Sequence, residues 1–281
     1  MLSGIIPEIP KIREALNRET SFFHLIETAL QREITDIFGE GGTNKINFDG
    51  IGEIKLPFFS MGQINTTHLF GIDELIIFAF YLANKRNYKK VADIGANIGL
   101  HSIILRKLGY QVSSFEPDPR HCAQFSENME ANLINDGFAL NQVAVSNKVG
   151  DIDFTRVIGN TTGSHITGAK GAYGDLEKFS VSCVPFNEIL RQHDLVKADV
   201  EGHEAVLVSS TNIADWANAD LLLEIGSQEN ANKIYDHLNT IGVSIYSQKI
   251  GWRKVGSERD LPKNHREGSV YISTRKEMNW S

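Results

Sequence analysis

The chain has 281 residues, 41% hydrophobic and 22% charged, the balance of an ordinary globular protein. That length leaves room for one α/β domain of about 200 residues and an appendage. A formal net charge of −7 argues against a surface that tracks phosphates, so no nucleic-acid partner is expected. The longest apolar run, residues 75–83, is too short to cross a bilayer, and no membrane insertion is expected. The first residues lack a basic stretch leading into a long apolar core, which is not the pattern of a signal peptide, so the expected location is cytoplasmic. Cys122 and Cys183 have no metal-ligand spacing and read as buried thiols.

Apolar residues follow helical spacing through 11–38 (Ile12, Leu16, Phe22, Phe23, Leu25, Ile26, Leu30, Ile34, Ile37), with Thr20-Ser21 as an interruption. A helix or helix pair is expected there, packed on the main domain or serving as a homodimer seam or a lid. Gly39, Gly41 and Gly42 break it. Residues 45–56 partly alternate around Asp49-Gly50 and predict a small hairpin. Residues 58–70 are polar and aromatic with no period. Asp73 is expected to cap, and Glu74 to open, a helix reaching Lys85 with Leu75, Phe78, Ala79 and Leu82 on its face.

Strands and helices then alternate: strand 90–94, helix 98–108, strand 111–116, helix 119–133, then strands 138–146 and 152–157. Alternation of this kind predicts a parallel sheet covered by helices on both faces. Residues 159–177 form a long polar stretch with glycines at 159, 163, 168, 171 and 174. A loop of that length inside a domain is usually functional or disordered. It reads either as a lid with Asn160, Ser164 or His165 on the substrate, or as a solvated hairpin tip. Strand 179–184, helix 186–192 and strand 195–200 follow, then strand 221–225, helix 229–241 and final strands 243–248 and 269–274.

The most informative stretch is Val91-Ala92-Asp93-Ile94-Gly95-Ala96-Asn97-Ile98-Gly99, which reads as strand, glycine turn, helix. Gly95 allows the turn, and Gly99 lets the helix pack close to the sheet or to a ligand. A dinucleotide site has G-x-G-x-x-G, whose second glycine admits a pyrophosphate. Asn97 stands at that position, so the turn suits a nucleoside without a pyrophosphate. Glu116 ends the next strand, where an acid can accept ribose hydroxyls.

D-x-G-x-x-x-G with the spaced Glu116 resembles the S-adenosylmethionine site of the class I methyltransferases. Together with Phe115-Glu116-Pro117-Asp118-Pro119 and Lys197-Ala198-Asp199-Val200-Glu201-Gly202-His203-Glu204, it is similar to the FkbM-type methyltransferase family over residues 73–275. The resemblance implies an α/β, doubly wound, mostly parallel seven-stranded sheet of the class I methyltransferase type. Residues 1–72 would be a small N-terminal helical and hairpin appendage, and 73–281 the cofactor-binding domain. The last two strands would form the antiparallel insertion of that fold. It also implies S-adenosylmethionine as cofactor, held by Asp93, Gly95, Ala96, Asn97, Gly99, Glu116, Pro117, Ala144 and Asp199. Backbone amides of 96–99 would suit the methionyl carboxylate. The segment 58–70 can border the active site in such a family.

Asp199, Glu201 and His203 leave the fourth strand at its carboxyl end, where open α/β sheets bind ligands. These three are the catalytic candidates, with His203, or failing that Asp199, taking the acceptor proton. Glu204 favours a helix N-terminus. H-E-x-x-H is absent and no metal is expected, although the three side chains could contribute to an oxygen-rich divalent site. His101 is either a pocket wall or a solvent-facing residue. The family resemblance implies methylation of a hydroxyl on a sugar, glycan or secondary metabolite, and the absence of Asn- or Asp-Pro-Pro-aromatic favours oxygen over base nitrogen. The rival readings are a protein or nucleic-acid methyltransferase, which needs a basic groove, and a catalytically silent nucleoside-binding scaffold.

Overall fold

The computed structural model describes residues 1–171 and 173–280. The chain starts with two short turns of helix, α1 (Leu2–Ile5) and α2 (Ile9–Ile12), followed by α3 (Ser21–Phe38). Thr20, expected as an interruption, is the cap of α3, its side chain accepting a hydrogen bond from the Phe23 amide at 3.1 Å. Then come the hairpin β1 (Lys45–Phe48) and β2 (Gly52–Lys55), paired antiparallel, and α4 (Ile72–Ala83). Gly71, not Asp73, occupies the cap of α4. Asp73 instead pairs with Arg18 and accepts from Gln248 Nε2 at 2.6 Å, because its place in the first turn faces other elements. Leu2, Ile6, Ile9, Phe23, Leu30, Ile34 and Phe38 share one buried cluster with the apolar residues of α4, so removing them would uncover that helix.

The remaining elements are β3 (Lys90–Ile94), α5 (Leu100–Lys107), β4 (Gln111–Phe115), α6 (Pro119–Ala131), β5 (Phe138–Asn141), β6 (Ala144–Ser146), β7 (Gly150–Val157), β8 (His165–Ile166), β9 (Leu176–Pro185), α7 (Phe186–Gln192), β10 (Leu195–Ala198), α8 (Glu204–Ser209), β11 (Asp220–Glu224), α9 (Gln228–Ile241), β12 (Ser244–Ser247), β13 (Arg253–Lys254) and β14 (Ser269–Ser273). The main sheet has the order β13-β12-β14-β11-β10-β3-β4-β5. From β11 to β5 all neighbours run parallel, while β14 runs antiparallel between β11 and β12. That is the antiparallel insertion expected from the sequence. The expectation of seven mostly parallel strands needs correction: the sheet is mixed and eight-stranded, with β13 a two-residue strand added to the edge at β12.

One face of this sheet is covered by α4 and α5, and the other by α7, α8 and α9, each with its own buried cluster. The strand expected over 138–146 is two strands in two sheets. β5 closes the main sheet, and β6 pairs in parallel with β9, Ala144 opposite Cys183. β6, β9, β7 and β8 form a second, four-stranded sheet. β9 starts inside the stretch expected to be loop and runs antiparallel to β7 from Gly150↔Cys183 to Val157↔Leu176. Arg156 on β7, almost wholly buried, anchors this sheet to α6. Its Nε and Nη2 each donate to Asp118 at 2.6 Å, and its guanidinium lies over the Phe179 ring at 4.7 Å.

Candidate active site

The carboxyl ends of β3, β4 and β10 open into a cleft of about 970 Å³ counted out to its mouth. At its floor the chain makes a run of left-handed residues, Gly95 (φ 72°), Asn97 (φ 50°) and Gly99 (φ 90°). Gly95 is required there because a Cβ would collide with the Asp199 carbonyl oxygen of the adjoining strand end. Gly99 serves packing, since a Cβ would stand 2.7 Å from the Phe125 ring on α6, and neither Gly99 nor Ala96 lines the cleft. The resemblance implies ligand contacts for both, but the turn faces both ways and these two lie on its packed side. The backbone amides of the turn are also largely committed: Gly95 and Ala96 donate to Phe115 O, Asn97 to Glu116 Oε2 at 2.8 Å, and Gly99 to Ala96 O. Asn97 lines the cleft, and its Oδ1 is buried with no hydrogen-bond partner.

Glu116 projects from the end of β4 into the same cleft and is 5% exposed. Its second oxygen accepts from the Asp118 amide at 2.9 Å. Phe115, Pro117, Val143, Ala144, Val145 and Phe154 supply apolar lining to the same cleft. His121 was not singled out from the sequence. It lies on the first turn of α6, five residues after Glu116, with Nδ1 3.8 Å from Glu116 and Nε2 2.9 Å from Thr161 Oγ1. Burial opposes its protonation, but Glu116 outweighs that and raises its pKa. A histidine on the turn of helix that follows the strand-end acid is the signal that could have found it.

Asp199 and Glu201 line the opposite end of the cleft. Burial, the nearby Asp199 charge and the weaker opposing pull of Lys170 leave the Glu201 carboxyl pushed up to about 7. His203 is not beside them. Glu201 and Gly202 both take left-handed backbone (φ 49° and 100°), and this turn carries His203 to the far side. There His203 lines a separate surface hollow with Gly168 and Ala169, and its Nε2 is 2.9 Å from Ser146 Oγ. Burial depresses its pKa to about 4, so near neutrality it is an uncharged imidazole in a structural hydrogen bond. Glu204 reaches back to accept from the Gly202 amide at 2.6 Å and pairs with Asn230, which holds the turn from below.

Asp93 lies behind the glycine turn, fully buried and off the cleft. It accepts from Ser102 Oγ at 2.6 Å and sits 3.9 Å from Lys197 Nζ, so it fixes α5 and β10 rather than touching a ligand. His101 is a wall residue, not a solvent-facing one: its Nε2 is 2.8 Å from Glu74 and its Nδ1 3.0 Å from Tyr81 Oη. With Glu74, Lys197 and Glu224 it borders a small second cavity. Burial, then the charges of Asp199 and Glu74, holds the Glu224 carboxyl well above its ordinary range. Among the described residues no group of three or more His, Cys, Asp or Glu side chains is placed to hold a metal ion.

The roof joins two distant segments. Ile64, His68 and Leu69 come from residues 58–70, and Thr161, Thr162, Ser164, His165 and Ile166 from the stretch before β9. Backbone bonds clasp them: Gln63 N to Gly159 O at 2.9 Å and Thr161 N to Met61 O at 2.8 Å. Ser164 and His165 line the cleft. Asn160 does not; its side chain donates to Tyr173 Oη at 2.7 Å and accepts from Thr162, because its backbone is taken up in the clasp with Gly62. No helix among the described residues is long and apolar enough to cross a membrane.

The profile of a family described as the methyltransferase FkbM domain matches residues 93–243. No curated protein matches the chain significantly. Solved structures similar to it include the methyltransferase FkbM from Methylobacillus flagellatus, at 12% identity and a TM-score of 0.41, covering 66% of this chain and 43% of that one. Precorrin-6y C5,15-methyltransferase from Geobacter metallireducens aligns at 13% identity and 0.39, covering 72% and 87%. An SAH-bound methyltransferase from Podospora anserina aligns at 11% identity and 0.36, covering 72% and 79%. The chain thus spans less than half the length of the first of these structures.

Proposed function

The chain belongs to the FkbM methyltransferase family, and from that premise we propose that it moves a methyl group from S-adenosylmethionine to a hydroxyl of a sugar, glycan or other polar secondary metabolite. The cofactor fits the residues present. Asn97 Oδ1 is an orphaned acceptor in the turn and suits the methionyl ammonium. Glu116 suits the ribose hydroxyls, and the wall from Phe115 to Phe154 suits adenine. When bound, the cofactor supplies an electrophilic methyl on a sulfonium, so the protein has only to place the acceptor and remove its proton.

The observation that carries the oxygen reading is Glu201, a cleft carboxyl pushed up to about 7 at the strand end opposite Glu116. A hydroxyl is a weak nucleophile until a base takes its proton, and a base works best with a pKa near the operating pH. Glu201 is therefore the base in this reading, with Asp199 beside it holding an acceptor hydroxyl by accepting a hydrogen bond. His68, Thr161, Thr162, Ser164 and His165 add donors and acceptors to the walls, which suits a polyol more than a flat apolar ring. Closing the roof segments over the cleft would keep bulk water from competing as acceptor.

Transfer of labelled methyl from S-adenosylmethionine to a panel of glycans and polyketide alcohols tests the reading. Turnover on a hydroxyl acceptor, abolished in Glu201→Gln, is the expected result. Transfer confined to amino groups of protein or nucleic acid overturns it, and so does tight cofactor binding with no transfer to any member of the panel.

A further inference from the structure

Glu201 holds its charge against acidic neighbours. The groups facing it are the carboxyls of Asp199 just before it, Glu204 at the start of α8 and Glu224 at the end of β11, the last driven toward its neutral form by burial, with Lys170 supplying an opposing charge. Lys170 comes from the stretch between β8 and β9 and forms an ion pair with Glu201 Oε2. The contact is built into the backbone on both sides. Glu201 is in the left-handed region, where a non-glycine residue is held only by its surroundings. Gly202 lies directly under this stretch: a Cβ there would stand 2.9 Å from Ala169 O and 3.2 Å from Lys170 Cβ. The Ala169 amide in turn donates to Ile166 O at 2.9 Å, so the turn bearing Lys170 is fixed to β8.

We propose that Lys170 is a positioning residue for methyl transfer, holding Glu201 toward the cleft as a base and making that arrangement depend on the seating of the β8–β9 stretch against Gly202. The inference rests on the reading of Glu201 as base. It explains how a carboxylate can persist beside acidic neighbours, since a neighbouring cation favours the charged form and like charges disfavour it. It also couples the roof to the chemistry. When the stretch before β9 lifts, Glu201 loses the cation that opposes its acidic neighbours, and the cleft loses its base at the same moment that water enters.

Two measurements on the full chain test this. Carboxyl carbon NMR on glutamate-labelled protein, with the Glu201 signal assigned by its loss in Glu201→Gln, follows the carboxyl directly. Its midpoint is expected to rise by about one pH unit or more in Lys170→Met, a roughly tenfold smaller ionised fraction at a given pH below it, and to stay near wild type in Lys170→Arg. The acid limb of the rate profile on an acceptor from the panel moves upward by the same amount, with S-adenosylhomocysteine affinity unchanged. An unmoved midpoint in Lys170→Met overturns the inference and leaves Glu201 as base. A wild-type rate and profile in Glu201→Gln overturns the base reading, and the role of Lys170 with it.

Discussion

Gly95 and Asp199 meet backbone to backbone, and the space a side chain would need at position 95 is taken by the Asp199 carbonyl oxygen. The Asp199 amide also donates to Ile94 O at 3.0 Å, so the glycine turn and the acidic strand end are one rigid unit. Gly95→Ala meets this contact and a left-handed backbone together. The backbone alone costs about 1–2 kcal/mol, and the collision adds to it. The expected result is a lower melting temperature and loss of S-adenosylhomocysteine binding by calorimetry. An alanine variant that binds like wild type would mean the two strand ends can part.

Glu116 offers two oxygens to the cleft, held in place by the Asn97 and Asp118 amides. Glu116→Ala should weaken S-adenosylhomocysteine by about 1.5–3 kcal/mol, the scale of hydrogen bonds to a charged acceptor. S-adenosylhomocysteine should raise the melting temperature of the wild type, and NAD should not, because Asn97 stands where a pyrophosphate needs glycine. Unchanged affinity in the variant removes Glu116 from the ribose.

His203 carries a stability signature rather than a catalytic one. Its folded pKa of about 4 lies below its ordinary 6.5. Between those values the unfolded chain takes up a proton that the folded chain refuses, so stability is full above pH 6.5 and is lost as pH falls toward 4. The loss amounts to about 3 kcal/mol, the worth of that displacement. Denaturant melts of His203→Gln should show a flatter dependence over this window, with turnover within a few-fold of wild type. A collapse of turnover with the fold intact would return His203 to the chemistry.

Arg156 and Asp118 form a buried ion pair joining the second sheet to α6. Removing one partner strands the other charge, so Arg156→Met should cost about 3–5 kcal/mol. The paired replacement Arg156→Met with Asp118→Asn, which keeps a cap for the Arg120 amide, should recover part of it. A double variant no better than the single one would show that the pair's geometry, not its charge balance, matters.

Local pattern carried the main sheet. The strand at Lys90–Ile94 has the residues expected for it, and α6 begins at Pro119 as expected, because propensity, capping and burial agree there. The second sheet was hidden because β6 finds its partner only at Cys183–Pro185, on a strand whose first residues look like loop. The site was legible to the same depth. Asp199 and Glu201 were recognisable as a strand-end pair, and Glu116 as the acid of the next strand. The side taken by His203 was not, since it turns on two consecutive left-handed residues that spacing does not encode. Lys170 was invisible for the same reason as β6: its significance lies in a contact with a distant turn.

The clasp between Gln63 and Gly159 and between Met61 and Thr161 makes the roof a long-range contact, closed only after the whole β3–β7 run has been laid down between its halves. Two backbone hydrogen bonds rather than a strand ladder hold the roof shut, so it opens more readily than the parallel sheet beneath it. In native-state hydrogen exchange, the Gln63 and Thr161 amides should open at lower free energy than those of β3 and β10, and cofactor analogues should slow them most. Ligand binding in a refolding experiment then reports the completed chain, not the appearance of its central sheet.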